Sequence, residues 1–252
     1  MIKVSRLQAF LLRLAVTLGI FLSLRYLVVP GWYPHALLQS DGGWQGIRLI
    51  VAVDFVLGPL LTLILFKPGK PGLKLDMFII TILQVLALGW GTLIVYKERP
   101  YALVFSEGYF KPLTYKQFKS SGVSRGFVTR LAKQKPYLVY SALPEDDNEL
   151  AALRKEALIK KRPLYFFAEY YRPFSPDSLT TLDKASFKPG DLLNNKPNID
   201  KQVANKIRQY QGDDKFVYLA MRSRYNKDIV VFDTQTYSIA DTLRLNPDAY
   251  RY

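Results

Sequence analysis

"LIVAVDFVLGPLLTLILF", Leu49–Phe66, is hydrocarbon in character at every position except one, the carboxylate of Asp54. Extended upstream to about Gln45, it is long enough as a helix to cross the roughly 30 Å apolar layer of a bilayer. Two stretches of the same kind frame it. Leu7–Val29 is interrupted only by Arg13 and Arg25, each within one or two turns of an end, where a long side chain reaches the headgroups. Leu75–Tyr96 follows "KPGKPGLK", Lys67–Lys74, a tight, basic, non-helical connection. Lys3 and Arg6 precede the first stretch as they would in a signal peptide. The "RYLVVPGWYP" that follows offers no small-x-small cleavage site, so a retained anchor is expected.

The segment between the first two stretches, Pro30–Trp44, has no Lys or Arg. With Lys3, Arg6 and the Lys67–Lys74 connection on the other side, the positive-inside rule predicts a cytoplasmic N-terminus and a C-terminal domain outside. Trp32, Tyr33, Trp44, Trp90 and Tyr96 then fall near the outer interface, as an aromatic belt. The expected architecture is a three-helix transmembrane domain over residues 1–98 (spans about 7–29, 45–66 and 75–96). A periplasmic α+β domain with a small, mainly antiparallel sheet follows over 99–252.

Asp54 lies about 13 Å below the outer end of its span, near the midplane, so it must face protein or water. Asp54, Gly58 and Thr62 are four apart and share a face suited to close packing. Gln84 of the third span comes to a similar depth, which predicts a hydrogen bond from Gln84 to Asp54 with Arg25 as counter-charge. The other reading of this polar cluster is a proton or ion relay. Pro59 is expected to kink the helix.

The matching elements of "GGWQGIRLIVAVDFVLGPLLTL" (Gly42, Gly43, Trp44, Gly46, Asp54, Gly58, Pro59, Thr62), followed by Asp76, Gln84, Gly91, Arg99 and Pro100, resemble the type IV pilin accessory proteins of the TfpX/TfpZ kind over roughly residues 30 to 110. The resemblance implies an inner-membrane protein that acts as a pilin-specific chaperone or assembly modulator. Its partners would be the major type IV pilin, the lipid bilayer and other pilus assembly proteins. It carries over no catalytic residue.

Composition narrows the chemistry. Cysteine is absent, which removes disulfides, thiolate catalysis and the commonest zinc sites. The net charge of +14, from 35 Lys and Arg against 21 Asp and Glu, suits an acidic partner or an anionic membrane surface. No recognition helix, RNP or zinc-finger pattern points to nucleic acid. His35, the only histidine, sits in the short outer segment and reads as a turn or interface residue. With no P-loop, GxSxG or HExxH, no cofactor, metal or enzymatic activity is expected, although a pilin-modifying transferase, an envelope sensor and a transporter subunit stand as alternatives.

In the tail, "YALVFSEGYF" and "KPYLVYSAL" read as strands, Pro144–Arg162 and Ile199–Gln211 as helices, the second opened by Asn198, and the end as further strands. "RPLYFFAEYYRPFSP", Arg162–Pro176, packs six aromatics into fifteen residues. It is either core strand with loop, or an exposed patch of Tyr170, Tyr171, Arg172 and Phe174 contacting pilin. Arg13 is a second candidate pilin contact. A pilin's apolar anchor helix carries a carboxylate near its cytoplasmic end, at about the depth of Arg13; simple snorkelling is the other reading.

Overall fold

The structure, a computed structural model, describes residues 5–34, 37–132, 135–194 and 200–244. Packing divides the chain into two units. One holds the residues up to Tyr33 together with Gly42–Arg99; the other holds Pro34–Asp41 and everything from Pro100 onward.

Three helices of the first unit are long and apolar enough to cross a membrane: span one Arg6–Tyr26, span two Gly43–Leu65 and span three Leu73–Lys97. Ser5 caps span one, its hydroxyl accepting from the Gln8 amide while Gln8 returns a bond to the Ser5 N–H. Spans two and three start behind Gly42 and Gly72, both in the left-handed region that glycine occupies without strain. Pro59 lies in a π-helical turn, Val56–Leu60, where the wider winding accommodates a residue without an N–H. At one end the Arg6 guanidinium donates to the Phe66 carbonyl (2.9 Å) and Lys70 pairs with Asp76. Near the other, Tyr33 donates to the Val95 carbonyl and Trp32 meets Tyr96 edge-on.

The second unit is built on seven strands: β1 Pro100–Ser106, β2 Tyr109–Thr114, β3 Tyr137–Ser141, β4 Tyr171–Arg172, β5 Phe216–Arg222, β6 Lys227–Asp233 and β7 Ser238–Arg244. Their order is β4-β3-β1-β2-β5-β6-β7. The sheet is mixed, which corrects the expectation of a small, mainly antiparallel one. The pairings β1–β3 and β2–β5 are parallel and flank the central antiparallel pair β1–β2, and the outer pairings are antiparallel. Parallel neighbours need long crossovers, and the helical stretches between β2 and β3 and between β3 and β5 supply them. "YALVFSEGYF" forms a hairpin instead of one strand, because Glu107 and Gly108 both take positive φ and turn the chain in two residues.

Helices cover both faces of the sheet. Leu103 and Phe105 of β1 point to one face, with Leu182 and Leu37; Ala102 and Val104 point to the other, with Phe118. β6 splits likewise, Val230 and Phe232 against Ile229 and Val231, and the latter pair packs with Val203 and Ile207 of helix Lys201–Tyr210. Asp200 caps that helix; Asn198, expected in that role, lies outside the described residues, as does His35. Leu37, from the segment between spans one and two, sits wholly inside this core, and Ser40 accepts a backbone bond from Tyr225.

Candidate functional site

Span two presents a small-residue seam to span three. A Cβ added at Gly46 would lie 2.5 Å from the Val95 side chain, and one at Gly58 2.5 Å from the Gln84 amide nitrogen. Conversely, one at Gly91 of span three would lie 2.7 Å from Ile50. Close approach of this kind associates helices in lipid, where burying apolar surface drives nothing. Along the same seam Asp54, Gly58 and Thr62 are all buried, as one helical face requires.

The hydrogen bond expected between Asp54 and Gln84 is not among those formed. The Gln84 carbonyl accepts from Arg13 Nη1 at 2.9 Å, and its amide lies over Gly58 and reaches Thr17 Oγ1 at 3.5 Å. Arg13 donates also to the Thr81 hydroxyl and to the Met77 carbonyl (3.4 Å). Arg13, a strong donor, fixes the Gln84 amide oxygen, and the amide nitrogen is thereby turned over Gly58 toward Thr17 instead of Asp54. Among the described residues Asp54 Oδ1 and Thr62 Oγ1 have no hydrogen-bond partner.

Arg25 is no counter-charge either. It stacks over Tyr26 (5.3 Å) and the Trp44 ring (5.8 Å) near the end of span one. The site therefore gathers Thr81 and Gln84 around the Arg13 guanidinium, with Thr17 accepting from Gln84 and with Asp54 and Thr62 buried on the adjacent face of span two. Sequence reasoning passed over Thr17 and Thr81. The signal was there: Thr17 follows Arg13 by four, and Met77, Thr81 and Gln84 fall on one helical face.

In the sheet unit, Tyr170, Tyr171, Arg172 and Phe174 do not make one exposed patch. Tyr171 is wholly buried in the strand it shares with Arg172, stacks on Phe118 and donates to the Tyr165 carbonyl. Burial pushes its phenol up to about 12. Phe174 packs on the core beside Phe110 and Phe232, and Tyr170 packs beside Leu164 and Phe167. Only Arg172 is exposed, its guanidinium turned back to the Glu169 and Tyr171 carbonyls. Among the described residues no group of three or more His, Asp or Glu could hold a metal ion.

The chain thus joins a unit of membrane-crossing length and composition to a mixed α/β sheet unit. It is similar to three proteins of Dichelobacter nodosus. The first is a fimbrial assembly protein of serogroup I, 30% identical over 132 residues, covering 51% of this chain and 50% of that protein. The second is a fimbrial assembly protein of serogroup E1, 36% identical over 106 residues, or 41% and 39% of the two chains. The third is a fimbrial assembly protein of serogroups C1 and C2, 38% identical over 77 residues, or 29% and 58%. The matched part spans about half the length of these curated relatives. No protein-family model matches the chain, and no solved structure matches it.

Proposed function

We propose that this protein is an accessory factor of type IV pilus assembly of the TfpX/TfpZ kind, which engages the major pilin without catalysing a reaction. In this reading it sits in the bacterial inner membrane, with the Lys67–Lys74 connection cytoplasmic and the sheet unit periplasmic. The observation that carries the reading is Arg13. Its guanidinium is held by three neutral acceptors, Gln84, Thr81 and the Met77 carbonyl, and among the described residues no carboxylate pairs with it. Such a charge, half-exposed on a membrane helix, favours an anionic partner arriving within the bilayer. A pilin anchor helix carrying a carboxylate at that depth would supply one. The names of the Dichelobacter relatives support a place in fimbrial biogenesis.

Crosslinking in native membranes tests the proposal. The wild-type chain is expected to trap the major pilin, and Arg13→Leu to lose most of that product while Arg13→Lys retains part of it. Capture and piliation unchanged in Arg13→Leu would remove the role given to Arg13, and a reporter after Tyr252 that proves cytosolic would remove the topology.

A further inference from the structure

Beside the Arg13 cluster, which it meets at Thr17, spans one and two leave an apolar groove of about 410 Å³ between them. Leu18 and Phe21 line one side, Val51 and Phe55 the other. At its head stand Trp44 and Arg48, and Arg25 reaches the Trp44 ring from span one at 5.8 Å. Among the described residues neither Arg25 nor Arg48 pairs with a carboxylate. One guanidinium over the indole and a second lining the same slot put two positive charges at its head, more than independent snorkelling requires.

We infer that this groove holds one anionic phospholipid, its phosphate between Arg25 and Arg48 beside Trp44 and one acyl chain along the slot. Two features favour a lipid over a polypeptide. From Trp44 to Phe55 the slot runs about 16 Å, close to the ~15 Å of one leaflet's hydrocarbon. The head carries two positive charges, the complement of a phosphodiester and a poor match for an uncharged chain.

Native mass spectrometry of the full chain in detergent, titrated with phosphatidylglycerol, provides the test. Wild type is expected to retain one lipid. The double variant Arg25→Gln with Arg48→Gln should bind it about tenfold more weakly or worse. Ala52→Trp, which fills the slot from span two, should also lose it with thermal unfolding unchanged. Equal retention by the double variant, equal affinity for diacylglycerol, or a crosslinked transmembrane peptide occupying the slot would each overturn the inference. Arg13 is untouched in these variants, so the outcome is independent of pilin capture.

Discussion

The two units of this chain are inverses of one another. In the helical unit large apolar side chains lie on the outside, Leu12 and Leu49 at 67% exposure and Trp90 at 68%, while Asp54, Thr62 and Gln84 are enclosed. In the sheet unit Leu103, Val104, Phe110 and Val230 are wholly enclosed, and Lys, Arg and Gln line the exposed face of helix Lys201–Tyr210. A single rule accounts for both. Each unit encloses what one solvent handles badly, and near Arg99 the pattern changes from one suited to hydrocarbon to one suited to water.

The largest expected effect breaks the comparison most directly. Phe232→Ala opens a cavity among Phe110, Phe174 and Leu219 and should cost the sheet unit about 3–5 kcal/mol. Leu86→Ala, at a side chain 64% exposed on span three, should change stability by less than about 0.5 kcal/mol in detergent. Thermal unfolding followed by limited proteolysis separates the two. Comparable losses would mean that the apolar face of span three is covered by another protein surface.

A middle-sized effect sharpens the comparison from inside the helical unit, where the seam depends on closeness and not on burying hydrocarbon. Gly58→Leu must displace the Gln84 amide and with it the carbonyl that holds Arg13, so overpacking of about 1–3 kcal/mol is expected. Gly89→Leu, one helical turn from the seam with nothing near its Cβ position, serves as the control and should leave the melting temperature in place. A melt of Gly58→Leu indistinguishable from that control would show that the seam does not hold the spans together.

How much of this was legible beforehand follows from the same inversion. The spans are readable because hydrocarbon solvent imposes a long uninterrupted run, and Asp54 is readable as buried because nothing else in Leu49–Phe66 is ionisable. That Gln84 is taken by Arg13 instead is not, because depth along a helix says nothing of which of three helices supplies the nearest donor. In the tail the strands announced themselves by composition, but parallel pairing depends on where crossovers return, which alternation in β1 or β2 does not encode. Sequence leaves Tyr171 between a core strand and a surface anchor for the same reason: a two-residue strand at the sheet edge, closed over by the 3₁₀ turns around Leu164–Tyr170, leaves no periodicity to read.

The finest distinction concerns two acids, one buried in each unit. Asp54 lies among helices built for lipid, whereas Asp228 lies at the start of β6, enclosed, with neither oxygen well hydrogen-bonded among the described residues. Burial pushes the Asp228 carboxyl above the usual carboxylate range, against the partial pull of the Ser40 hydroxyl and the Arg244 charge. Because the folded value is the higher one, the protonated acid is the form the fold favours. The sheet unit should therefore gain stability as pH falls toward the unfolded value near ~4 and lose it as pH rises through the raised folded value. Asp228→Asn, which keeps the shape and cannot ionise, should flatten that slope and raise the melting temperature at neutral pH relative to wild type. Arg244 carries its charge nearby in both variants, so the decisive quantity is the difference between variant and wild type across pH 4 to 7. A difference that stays constant over this range would mean that Asp228 is solvated or paired when the unit is folded, and that only the helical unit tolerates an acid enclosed without a partner.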